Sequence, residues 1–197
     1  MIGISDGKID AEQELERHLQ ADSRWVRGAA WGSGHPEGVV RLHIAEVLAI
    51  IDALGINAED RRKLRIVALV HDTFKSEVDR ASPRTGDNHH ALIARRFVES
   101  YTNDLDILEI TELHDEAFYA WRSGARRRDW NRARRRAERL IERLGSRLGL
   151  YLAFFRADNA AGDKQAEPLR WFEEVTAARR VDTLEWRCTR GALQGAS

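Results

Sequence analysis

Four histidines and two aspartates in this chain have the types and spacing to hold a metal ion. His71-Asp72 closes the apolar run Leu64-Arg65-Ile66-Val67-Ala68-Leu69-Val70, His43 lies upstream, and His90, His114 and Asp158 follow downstream. A lone His-Asp dipeptide is common and usually structural. The set is more informative, because each member lies at helical spacing from apolar residues. His43 shares a stripe with Val47, Ile50 and Leu54; His71 lies four residues after Val67 and seven after Leu64; His90 aligns with Ile93, Ala94, Phe97 and Tyr101. His114 aligns with Ile107 and Ile110, and Asp158 with Tyr151, Phe154 and Phe155. Offsets of three, four, seven and eleven put each candidate on the buried face of its helix.

A buried carboxylate without a partner is costly, and a buried imidazole needs both nitrogens satisfied. Taken singly, each histidine reads as a hydrogen-bonded core residue. Taken together, several inward-facing polar groups are hard to satisfy in pairs, and a metal ion satisfies them at once. Nitrogen and oxygen donors without thiolate suit manganese, iron, cobalt, nickel, zinc or magnesium, so the expectation is a divalent metal. His18, on a charged first helix, reads as a surface residue. His35 precedes Pro36 in a glycine-rich loop and is at most a residue of the site's rim.

The elements that must position these residues are all helical. A charged helix is expected from a cap at Asp10 to Gln20, and residues 28–38, with four glycines, form a loop. Helices follow over 39–54, from an Asn57 cap to His71, from about Asn88, and over 105–119. Residues 125–144 carry nine arginines, yet Trp130, Ala133, Ala137, Leu140, Ile141 and Leu144 keep an apolar stripe, so this is one amphipathic helix. The run 148–158 is a core helix, Pro168 opens a short one, and 191–197 is a loose end. No strand pattern appears, and the fold class is all-α: a compact helical bundle with the metal site at its centre. The division expected is 1–37 as N-terminal helix and loop, 38–178 as the helical domain and 179–197 as a C-terminal extension.

With 43% hydrophobic residues the chain can bury a core unaided. Its 32 basic and 32 acidic side chains cancel, which gives no global argument for nucleic acid or membrane binding. The one cysteine, Cys188, excludes a disulfide framework and points to a reducing compartment. No stretch approaches the ~20 apolar residues of a membrane span, and the first twenty residues do not read as a signal peptide. A cytoplasmic protein is expected.

Over residues 38 to 165 the sequence resembles the HD-domain superfamily of metal-dependent phosphohydrolases. The resemblance rests on His43 in RLHIAEVL, His71-Asp72 in ALVHDTFK, His90 in NHHALIARRF, His114 in ELHDEA and Asp158 in FFRADN. It implies that His43, His71, Asp72 and Asp158 hold one metal and that His90 and His114 hold a second, with Asp72 bridging. It also implies that Lys75, in His-Asp-x-x-Lys, contacts phosphate. Thr73-Phe74 departs from the "HDIGK" form, which leaves the subfamily open. His89 competes with His90 as ligand, and periodicity favours His90.

The reaction implied is hydrolysis of a phosphomonoester or nucleotide, in which a bound metal makes a water reactive near neutral pH. Asp72 and Lys75 are the catalytic candidates, and Lys75, Arg80 and Arg84 the phosphate-binding ones. Lys164 is a weaker candidate of the same kind, and Trp31 and Trp121 could line a nucleobase pocket. Two other functions compete: a di-iron oxygenase, as in some relatives, and a module whose arginine face over 126–143 binds RNA or another polyanion. A solvated helix face is the commoner origin of such a run, so nucleic acid is not the expected partner.

Overall fold

The computed structural model describes residues 14–32, 38–162 and 164–178. The expected Asp10 cap, His35, Cys188, and the extension from 179 with its loose end lie outside them. Helices account for most of the described residues, with no strand among them: α1 (14–21), α2 (Ser23–Ala29), α3 (Val40–Ala53), α4 (Ala58–Val70), α5 (His90–Glu99), α6 (Leu105–Leu113), α7 (Glu116–Arg127), α8 (Trp130–Leu144), α9 (Leu148–Ala160) and α10 (Glu167–Ala178). No helix among the described residues is long and apolar enough to cross a membrane.

Local chemistry sets the boundaries. Asn57 caps α4 by accepting from the Asp60 backbone N–H at 2.8 Å, and Glu59 and Asp60 favour its positive end. Asp104 and Asp129 cap α6 and α8 in the same way. Helix α9 is buried nearly all round from Leu148 to Ala157 and forms the axis of the bundle, with α3, α4, α8 and α10 against it. Helices α7 and α8 form an antiparallel hairpin that α10 covers, while α5 pairs with α6. The buried stripe of α3 is Val40, Ile44, Val47 and Ile51, with His43 among them, and α4 ends in five consecutive buried residues, Ile66–Val70.

Four expectations need correction. The loop expected over 28–38 starts later, because Gly28 and Ala29 belong to α2 and are buried. Gly28 lets α2 pack against the turn after Asp72: a Cβ there would lie 2.0 Å from the Thr73 carbonyl oxygen. The helix expected over 105–119 is two helices, broken at His114-Asp115. The arginine-rich stretch is also broken, at Arg128, whose φ of 54° is left-handed, so Arg126 and Arg127 end α7. Trp130, placed by periodicity on the apolar stripe, is 46% exposed and packs beside Trp171, ring centroids 5.9 Å apart. Position N1 of a helix turned back on its neighbour does not follow the stripe of the turns beyond it.

Helices α1 and α2 are fixed to the body by polar contacts. Arg65 pairs with Glu16 at 2.7 Å and with Asp52 at 2.6 Å, Arg24 pairs with Glu77 at 2.7 Å, and the Trp25 indole N–H donates to the Leu69 carbonyl at 2.8 Å.

Candidate metal centre

Two helix ends build the middle of the site. His71 caps the C-terminus of α4 and His114 that of α6, and each is followed by an aspartate. Each ring turns back on its own helix: His71 Nδ1 donates to the Ala68 carbonyl at 2.9 Å, His114 Nδ1 to the Thr111 carbonyl at 2.8 Å. A carbonyl only accepts, so both Nδ1 atoms carry hydrogen and both Nε2 atoms point to the centre, where each offers a lone pair when it carries no proton.

Other helices bring the remaining donors. His43, fully buried on α3, puts Nε2 3.3 Å from His71 Nε2 and 2.9 Å from Asp158 Oδ1 on α9. His90, the first residue of α5, puts Nε2 3.2 Å from His114 Nε2. Between these two sets stands Asp72. Its Oδ2 lies 3.6 Å from His71 Nε2 and 3.9 Å from His43 Nε2; its Oδ1 lies 3.6 Å from both His90 and His114 Nε2.

All six sequence candidates for metal ligation thus come together, in two groups: His43, His71 and Asp158, and Asp72, His90 and His114. A third group, His89, His90 and Asp115, overlaps the second. Asp115 was missed by sequence reasoning, although its Oδ2 is 3.1 Å from His90 Nε2. The signal was present, since His114-Asp115 is a second His-Asp pair at the end of an apolar helix. His89 caps α5 through its ring, which accepts from Ala91 N at 3.3 Å, and burial pushes it down to about 4.

The electrostatics describe a site built for positive charge. Burial opposes ionisation of Asp72, but Lys75, His71 and His114 outweigh it and hold the carboxyl well below its usual range. Asp158 is likewise held low against burial by Lys164, His43 and His71, and Asp115 by His114 and His90. His114 is pushed up to about 9: burial disfavours its charge, and Asp115 and Asp72 more than compensate. His71, with burial dominant, is lowered. Ionised carboxylates therefore face a neutral His71 and, in metal-free protein near neutral pH, a cationic His114 in a largely buried centre. A divalent ion fits that donor set, since it can replace the His114 proton and satisfy the carboxylates and imidazole nitrogens together.

The phosphate-binding candidates divide. Lys75 Nζ bonds Asp72 Oδ2 at 2.6 Å and Lys164 Nζ bonds Asp158 Oδ1 at 2.7 Å, so both lysines neutralise site carboxylates. Lys75 also lines a cavity of 420 Å3 with Trp31, Arg80, Arg84, His90 and Asp115, a volume in the roughly 300–1,000 Å3 range of small-molecule sites. The loop carrying Arg80 and Arg84 is tied by Asn88, which accepts from Asp79 N and donates to the Asp79 and Pro83 carbonyls. Arg80 lies over the Trp31 ring at 5.8 Å. Trp121 instead packs against Phe118 and does not line the cavity.

An all-α bundle with a buried His/Asp cluster at the ends of its helices defines the class. The HD domain family matches residues 40–152, more than half of the chain, and the chain belongs to that family. Its members are generally metal-dependent hydrolases. The match spans every candidate donor except Asp158, which lies two turns of α9 beyond it. No curated protein and no solved structure matches the chain.

Proposed function

We propose that the chain is a metal-dependent phosphohydrolase acting on a phosphomonoester or nucleotide through a mono- or dinuclear His/Asp site. The observation that carries this reading is the position of Asp72, with one carboxylate oxygen toward His43 and His71 and the other toward His90 and His114. In this reading His43, His71 and Asp158 hold one divalent ion, His90, His114 and Asp115 hold a second, and Asp72 serves both. A bound ion would polarise a phosphoryl oxygen and make water a nucleophile near neutral pH.

The chain's own residues supply the rest. Carbonyl bonds at Nδ1 keep His71 and His114 in one tautomer, so their donor atoms need no rearrangement. Lys75, bonded to Asp72 at the cavity wall, offers positive charge to a non-bridging phosphate oxygen. Arg80 and Arg84 close over the same cavity as a phosphate clamp, with Trp31 as an apolar wall for the remainder of the substrate.

The test is phosphate release from a panel of phosphomonoesters and nucleotides in manganese, cobalt or nickel. Asp72→Asn should keep its helical circular dichroism and lose more activity than the roughly 10–100-fold that an outer-shell partner costs. Two equivalents of bound iron with dioxygen consumption and no phosphate release would replace this reading with the oxygenase one. Failure to bind any divalent ion would overturn both.

A further inference from the structure

We propose that the cleft between α7 and α8 binds a linear run of phosphates and leads it toward the metal centre, so that the substrate of the proposed phosphohydrolase carries phosphates beyond the one attacked. The inference rests on that reading for its functional meaning, but the binding site stands on its own observations.

The cleft, of 390 Å3, is lined by Arg122, Arg126 and Arg127 from α7 and by Arg132, Arg136 and Arg139 from α8. Arg122 and Arg126 are one turn apart, and Arg132, Arg136 and Arg139 follow at four and seven, so two stripes of like charge face each other across the hairpin. No carboxylate among the described residues lines this cleft. Arg136 is anchored by Glu116 at 2.8 Å, which fixes one guanidinium in the middle of the groove. Among the described residues no acid pairs with the other five. In a chain whose charges balance, this is segregation into a concavity.

A solvated helix face would account for arginines pointing outward, as Arg134 and Arg135 do. Of the six that line the cleft, Arg122 and Arg136 are half-buried and Arg126, Arg127, Arg132 and Arg139 are exposed like Arg134 and Arg135; what sets the six apart is that they share one groove without an acid on its walls, where they repel one another until an anion enters. The groove also has a destination. It shares Tyr119, Arg122, Arg136 and Arg139 with a neighbouring cavity of 740 Å3 whose far end holds Arg84, His89 and Asp115. Those three residues line the metal-side cavity as well. The three cavities therefore adjoin from the arginine stripes to the carboxylate beside His90; the middle one also carries Glu112 and Glu116, the first paired with Arg95 and Arg143 and the second with Arg136.

The cleft favours phosphates over bases. Its aromatic residue, Tyr119, is already engaged by the guanidiniums of Arg122 and Arg136, each 5.6 Å from its ring centroid. A single strand of nucleic acid needs open aromatic faces on which bases stack, and the cleft offers none. Guanidinium forks match phosphate oxygens directly. A nucleoside polyphosphate and an inorganic polyphosphate share this chemistry.

The experiment is calorimetric titration of the full chain with orthophosphate, inorganic tripolyphosphate and adenosine triphosphate, in chelator, so that no metal holds the ligand. Tripolyphosphate should bind more tightly than orthophosphate. Arg132→Ala with Arg139→Ala should weaken it by at least about tenfold, the worth of one or more charge-assisted hydrogen bonds. Arg134→Ala with Arg135→Ala, an equal charge loss on the same helix outside the cleft, should leave it within about twofold. Circular dichroism and melting of both variants establish that they fold. Equal affinity for the two polyphosphates assigns recognition to the phosphate run, and tighter triphosphate binding assigns it to a nucleoside polyphosphate. The proposal falls if tripolyphosphate does not bind, if both double variants lose affinity equally, or if a single-stranded RNA of similar charge binds more tightly through the same arginines. Neither metal nor turnover enters, so failure of the phosphohydrolase reading registers separately.

Discussion

His71 and His114 end α4 and α6 in the same way, each ring donating to a carbonyl three residues back and each aspartate following into the centre. The two pairs differ in charge. His114 faces Asp115 and Asp72 and is pushed up to about 9, whereas burial lowers His71. In metal-free protein the His114 proton therefore stands where the donors call for a cation. Its folded value lies above the ordinary 6.5, so the stabilisation is full below pH 6.5 and is lost as pH rises through about 9. Thermal melts in chelator should show a fall in melting temperature across that window, and His114→Gln should flatten it. Metal competes with the same proton, so apparent affinity should rise with pH over the same range. At this scale the sequence was most readable. Helical offsets turned six donors inward, and the structure brings those six together. Asp115 escaped because the offsets were counted along one unbroken helix, on which it points away from the stripe of Ile107 and Ile110.

The break that redirects Asp115 has a cause outside its own segment. Where α6 ends and α7 begins, the Leu113 and His114 carbonyls and the Ala117 N–H meet the hydroxyl of Tyr151 on α9. It accepts from Ala117 N at 3.2 Å and lies 3.2 Å from each carbonyl, to which it donates its one proton. Tyr151 is fully buried, and its ionisation is pushed far up by burial, so the hydroxyl keeps its proton. Replacing it with phenylalanine preserves the ring against Phe155 and Phe172 but strands a buried N–H, at a cost of about 1–3 kcal/mol. Denaturant unfolding of Tyr151→Phe should show that loss. Its metal affinity should fall too, because the turn that aims His114 and Asp115 loosens. Periodicity could not reveal this break: residues 105–119 alone favour a continuous helix, and the interrupting group is 34 residues beyond Ala117. The hairpin at Arg128 was hidden for a similar reason, since the arginine run reads the same on either side of the bend.

The centre belongs to the whole molecule, because its donors lie on helices far apart in the chain. His43 and Asp158 are 115 residues apart in sequence and 2.9 Å apart in space. No shorter piece of the bundle holds the set, and the apolar packing of α9 against α3 and α4 is what brings it together. That packing also confines ionised carboxylates and oriented imidazoles to a core otherwise made of Leu, Ile, Val, Ala and aromatic side chains. Unfolding returns these groups to water and scatters them, so a divalent ion held by the proposed centre would bind the native state far better than the unfolded one. At a free metal concentration near 100 times the dissociation constant this linkage is worth about 2.7 kcal/mol. For a chain of 197 residues each kcal/mol moves the melting temperature by roughly 2–4 °C. Saturation with manganese, nickel or zinc should therefore raise the midpoint by about 5–11 °C over chelated protein, read by differential scanning calorimetry. Asp72→Asn should remove most of the rise, since Asp72 faces both donor groups. His18→Gln, on the exposed side of α1, should keep all of it. An equal rise in the Asp72 variant would mean that the stabilising ion binds elsewhere on the molecule and that the clustered donors are held by one another alone.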